Sequence, residues 1–171
     1  MSTNTKEKNI FIPPTRITKS AHCSSMEQYK EMTSEALKNP EGFWGEIAKQ
    51  FYFKEECSEK FLDYNFDFNK GPIYIKWMEG AKTNICYNCL DKHVLAGFGD
   101  RTAYYWEGND PNDYKKVTFK ALFDDVCRVS NVLRDKGVKK GDVIALYMPM
   151  IPELVVAMLA VARIGAVHSI V

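Results

Sequence analysis

The sequence predicts an α/β fold whose parallel sheet is begun and left unfinished. Three observations lead there. Residues 143–148, VIALYM, form a continuous apolar run of strand length, the pattern of a parallel strand buried on both faces. A helical pattern opens at Pro152, a residue suited to a first helical position, and stops at Gly165, a left-handed cap. Residues 166–171 then start another strand, so strand, helix and strand make one βαβ unit within about thirty residues. Ligands of open α/β sheets bind beyond the carboxyl ends of the strands. The sequence therefore stops near the place where chemistry is expected.

The preceding elements follow in order. Residues 1–28 read as an extended polar leader, with Pro13-Pro14 holding the backbone out of a helix. From Tyr29 a helix is expected, with Met32, Ala36 and Leu37 on one face, broken at Pro40. A second helix is expected from Pro40 or Glu41 through Tyr52, with Phe43, Trp44, Ile47 and Phe51 at helical spacing. Residues 57–80 are aromatic-rich and irregular. Phe61, Tyr64, Phe66, Phe68, Tyr74 and Trp77 are expected to pack beneath a wrapping segment, and 73–77 reads as strand. Thr83 or Asn84 caps a short helix through 90–95, and Gly97, Gly99 and Asp100 mark a turn. Residues 103–107 read as strand and GNDPND as a loop. Thr118 then caps a longer helix whose buried stripe is Phe119, Leu122, Phe123, Val126, Val129 and Leu133, ending at Gly137.

The bulk properties narrow the function. The chain has 171 residues, 23 basic against 22 acidic, for a net charge of +1. Such a balance offers neither a basic stripe for nucleic acid nor an acidic tail. At 46% hydrophobic residues it can bury a core. Cys23, Cys57, Cys86, Cys89 and Cys127 follow a start, MSTNTKEKN, without an apolar signal region, so a reducing, cytoplasmic setting is expected. A mitochondrial presequence is disfavoured by Pro13-Pro14. Residues 143–162 do not read as a membrane span, since Pro149, Pro152 and Glu153 interrupt them and the uncharged run left over is about half of the ~20 residues needed.

Candidate chemistry is sparse. Cys86-x2-Cys89-x3-His93 has metal-like spacing, but no second pair completes a zinc set, and buried structural thiols are the expected reading. The glycines around Phe98 precede a strand rather than a helix, so they do not cradle phosphate. His22, His93 and His168 lack an evident acid or nucleophile. His168 in the last strand is expected to be a satisfied core residue. Glu55-Glu56, Asp124-Asp125 and Asp63/Asp67 read as solvated faces or caps. There is no GxSxG, no GxxxxGK[ST] and no HExxH.

Several longer strings, taken together, carry more. NPEGFWGEIA, KGPIYIKWMEGAKTNICYNCLDKH, GDRTAYYWEGNDP and GVKKGDVIALYMPMIPELVVAMLAVARIGAVHSIV closely resemble the amino-terminal part of the acetyl-coenzyme A synthetases, the acetate–CoA ligases of the adenylate-forming superfamily. The leader FIPPTRITKSAHCSSMEQYKEM is similar to that family's start, and the likeness covers about residues 11–171. Ala81 stands where a glycine is common in the family, and Tyr104-Tyr105 where aliphatic residues are common.

The resemblance implies the incomplete N-terminal part of the large domain of an adenylate-forming enzyme, with a helical and irregular wrapping segment ahead of it. It divides the chain into a leader over 1–28, a synthetase-type N-terminal segment over 29–93, and the start of the AMP-binding α/β domain over 94–171. It implies acetyl-CoA formation from acetate, ATP and CoA with Mg2+ in the full-length enzyme. The family's ATP loop, acetate pocket and catalytic lysine lie beyond Val171. No catalytic, cofactor-binding or metal residue is therefore assigned in 1–171, and none of these ligands is expected to bind this portion tightly. Self-association through exposed apolar surface is expected. A propionate-preferring relative, or a short product that binds a full-length subunit, are the alternative readings.

Overall fold

The computed structural model describes residues 13–171, in two units divided after Lys49. The reading of 1–12 as extended leader lies outside the described residues. The rest of that leader is not uniformly extended. Thr15–Thr18 form one turn, α1, and α2 spans Met26–Lys38, so the helix starts ahead of Tyr29. Its start is a capping box in SSMEQ. Ser25 Oγ accepts from the Gln28 amide at 3.1 Å, and Gln28 Oε1 accepts from the Ser24 amide at 2.8 Å. Asn39 ends α2 and caps α3 (Pro40–Ala48), accepting from the Gly42 amide at 3.0 Å. α3 stops at Ala48 rather than Tyr52. No residue of α2 or α3 is fully buried, and Ala36, Phe43 and Ile47 are half-buried.

The second unit begins with a hairpin, β1 (Leu62–Asn65) against β2 (Tyr74–Trp77), pairing Leu62 with Trp77 and Asn65 with Tyr74. The aromatics do not sink beneath a wrapping segment as expected. Tyr64, Phe66, Phe68, Tyr74 and Trp77 are all exposed, and every residue of β2 faces outward. A two-stranded hairpin has two faces, and among the described residues of this unit no helix or strand layers over either of them.

Residues 85–98 coil with widened turns over Tyr87–Asp91 and Val94–Phe98, the second broken by the non-helical Gly97. Asn84 caps it, accepting from the Tyr87 amide at 3.2 Å. The next strand, β3 (Thr102–Glu107), pairs antiparallel with β4 (Tyr114–Thr118) around the predicted GNDPND loop. β4 was not anticipated, because YKKVT is short and carries adjacent lysines. Thr118 caps α4 (Phe119–Asp135) by accepting from the Ala121 amide at 3.2 Å. Its stripe is buried as predicted, with Leu122 and Val126 fully inside and Phe119, Phe123, Val129 and Leu133 packed around them.

Strand β5 (Val143–Leu146), α5 (Pro152–Arg163) and β6 (Val167–Ile170) are the predicted βαβ unit, with β5 and β6 parallel and Val143 beside Val167. Both helices end in the same glycine device. Gly137 and Gly165 take φ +90° and +78°. The amides after them, of Val138 and Ala166, return to Leu133 and Val161 at 3.1 Å each, which closes the last turn. One expectation fails. β5 is not buried on both faces: Leu146 is 7% exposed and Val143 68%. α5 covers one face of the pair, and Val143, Val167, Ile170 and Val171 stand exposed.

The core joins Cys86 and Leu90 of the wide-turned helix to Leu122 and Val126 of α4 and Ala160 of α5. Tyr104 packs against it with its hydroxyl buried and without a hydrogen-bond partner among the described residues. An orphaned buried donor costs stability, so Tyr104→Phe should raise unfolding free energy by about 1 kcal/mol, read as a higher urea midpoint. Burial also pushes the phenol pKa up. The folded chain then keeps this proton where the unfolded chain releases it, and stability falls as pH rises beyond about 10. That fall should be smaller in Tyr104→Phe.

Candidate functional site

At the carboxyl end of β5 the chain leaves the sheet through Tyr147, Met148, Pro149 and Met150. Tyr147 and Met150 are almost fully exposed. This is the edge at which an open α/β sheet binds ligands. The loop is pinned from β3, where Trp106 Nε1 donates to the Met150 carbonyl at 2.7 Å. Ile151 then leads into α5, with Pro152 at its first turn. A cavity of about 440 Å³ lies between this loop and the β3–β4 turn, lined by Trp106, Glu107, Asp110, Asp113 and Met150 among others. Its charged groups are all carboxylates. Such a lining repels polyphosphate. Among the described residues no cluster of His, Cys, Asp and Glu is arranged to hold a metal ion. The lining of this cavity therefore does not suit the phosphates of ATP or CoA.

Among the described residues, the cysteine motif is not gathered into a metal-ligand cluster. Cys86 is wholly buried, Cys89 is exposed, and His93 lies against the Phe119 ring at 5.3 Å. Burial pushes the Cys86 thiol up, only partly offset by the Arg163 guanidinium, which reaches its sulfur at 3.7 Å. A buried protonated thiol is inert. Iodoacetamide should label Cys23 and Cys89 in the native chain and reach Cys86 only on unfolding, which peptide mass mapping would show.

The other candidates fall as follows. The Gly97–Gly99 stretch is a turn, with Gly97 at φ +83° and Gly99 accepting from the Lys120 amide at 2.9 Å. Glu55 pairs with Lys82 at 2.6 Å, Asp124 with Lys120 at 2.6 Å and Asp125 with Arg128. Asp63 meets Lys60 at 3.2 Å, and Asp67 accepts from the Asn69 amide at 3.0 Å. These are the surface pairs and caps expected. His22 is exposed. His168 is half-buried in β6 opposite Ile144, and its side chain has no hydrogen bond among the described residues, so it is not the satisfied core histidine expected.

One long-range polar node was not foreseen. Arg163, in the last turn of α5, donates to Asp91 at 2.7 Å, with side chains 27% and 11% exposed. Asp91 holds the guanidinium pKa above its ordinary value. Asn84 Nδ2 donates to the Ala162 and Arg163 carbonyls at 3.0 and 3.2 Å and so caps α5 from outside. Asn84 and Asp91 come from TNICYNCLD, the string that carries the family likeness.

Comparison with known proteins accounts for both halves of this junction. Residues 91–171 match the family described as AMP-binding enzyme, which gives the class. Residues 29–89 match the family described as acetyl-coenzyme A synthetase N-terminus. The chain belongs to the acetyl-coenzyme A synthetase family. It is 55% identical over 167 residues to the acetyl-coenzyme A synthetase of Drosophila melanogaster, covering 96% of this chain and 25% of that protein. It is 47% identical over 166 residues to the chloroplastic/glyoxysomal enzyme of Arabidopsis thaliana, covering 97% and 22%. Against the Syntrophobacter fumaroxidans enzyme identity is 49% over 163 residues, covering 95% and 24%. The chain spans about a quarter of the length of the curated relatives it matches.

Proposed function

We propose that this chain is scaffold for an acetate–CoA ligase: the N-terminal segment and the first layer of the nucleotide-binding domain. The match of residues 29–89 to the acetyl-coenzyme A synthetase N-terminus carries the reading. In the reaction so implied, acetate attacks the α-phosphate of ATP, releasing pyrophosphate. The CoA thiol then attacks the acetyl-adenylate and releases AMP. On this reading the groups that stabilise those transition states are supplied from outside residues 13–171. Their part is to fix the carboxyl edge of β5 and β6. The chain alone, given acetate, ATP, CoA and Mg2+, should form no acetyl-CoA; product above a no-protein control would contradict this.

No described helix is long and apolar enough to cross a membrane. The five free cysteines suit the reducing cytoplasm, where we propose the protein works. The outer edges of β5 and β6 are unpaired among the described residues. That favours a second reading, in which the chain docks onto a full-length synthetase subunit through an open strand. Size-exclusion chromatography of the two together tests it, and absence of co-elution removes it.

A further inference from the structure

At the opposite end of β5 and β6, near their amino termini, a recess of about 720 Å³ opens between the ends of α4 and α5. Its charged lining is cationic throughout: Arg134, Lys139, Lys140 and Arg163. Cations near helix ends can simply answer the helix dipoles. Here the carbonyls are already served, by the Gly137 and Gly165 turns and, on α5, by the Asn84 amide. Among the described residues, Arg134, Lys139 and Lys140 make no side-chain ion pair or hydrogen bond, and only Arg163 is committed, to Asp91. Asp142, two residues after Lys140, accepts the Lys139 amide at 2.7 Å and closes the loop. Asp135 is outside the lining. Lys140 lies with its stem against Gly165, where even an added Cβ would meet its Cγ at 3.1 Å.

We propose that this recess binds a small anion bearing a diphosphate group. Its volume is that of a small-molecule pocket. Several unpaired cations and a guanidinium around one concavity suit a multiply charged phosphate better than a single carboxylate. The near-zero net charge supplies no longer basic track for a polymer. This site does not depend on the ligase reading, and it is tested without acetate or CoA.

Equilibrium dialysis of the 171-residue chain against labelled pyrophosphate, and separately ADP, at low ionic strength is the experiment, since it tolerates self-association. Saturable pyrophosphate binding is expected. Lys139→Gln/Lys140→Gln should weaken it by about tenfold, and Arg134→Gln should also weaken it. Lys115→Gln/Lys116→Gln on β4 should leave it unchanged. The replaced side chains are exposed, and unchanged circular dichroism confirms that each variant folds. Equal binding of ADP supports a diphosphate carried by a nucleotide; pyrophosphate binding alone supports the free ion. No saturable binding of either anion, or equal weakening by the β4 pair, overturns the proposal.

Discussion

Leu90→Ala is expected to destabilise the chain by about 3 kcal/mol, because it removes a large side chain from a site with no room to collapse. Leu90 is 0% exposed and packs with Cys86, Leu122, Val126 and Ala160. It falls between the two family matches, which end at residue 89 and begin at 91. If those matches marked separate modules, Leu90 would sit at a seam and its truncation would be mild. It sits in the middle of the core instead. Urea denaturation followed by circular dichroism should show a lower midpoint with an unchanged slope. A loss below about 1 kcal/mol would mean that this helix is not part of the core.

Asp91→Ala is the second large effect, expected at about 3 kcal/mol, near the lower end for breaking a buried ion pair, because Arg163 retains some contact with water. The truncation leaves the guanidinium half-buried beside an empty acceptor. The double variant Asp91→Leu/Arg163→Met should recover much of the loss, since an apolar pair leaves no orphaned charge. A double variant as unstable as the single one would place the cost in packing rather than in charge. An arginine is protonated throughout the usual pH range, and Asp91 holds the Arg163 pKa higher still.

What the sequence made legible was local. The α4 stripe repeats at helical spacing, Thr118 and Gly137 punctuate it, and Pro152 and Gly165 bound α5. Each signal lies within one turn of the residue it positions. Less legible were features set by distant partners. Arg163 and Asp91 are 72 residues apart, and nothing in either neighbourhood names the other. The hairpin aromatics read as core because aromatics generally are buried, but exposure depends on what covers them. The same holds for β5, whose apolar run promised two covered faces and has one. β4 was hidden by Lys115 and Lys116, which point outward on a two-stranded ribbon. The early start of α2 was readable in the S-x-x-Q box of Ser25 and Gln28, and was masked by the stronger apolar pattern from Tyr29. At the candidate site, the parallel pairing of β5 and β6 was legible in the βαβ pattern. The pinning of its loop by Trp106 was not, because that bond crosses 44 residues.

The scaffold role is tested most directly by exchange. In the Drosophila melanogaster enzyme, the quarter that matches this chain would be replaced by residues 1–171, and acetyl-CoA formation measured. A scaffold of equivalent fold should leave kcat within about tenfold of the parent, a difference of about 1.4 kcal/mol in barrier. A chimera that folds and binds ATP yet makes no acetyl-CoA would contradict it.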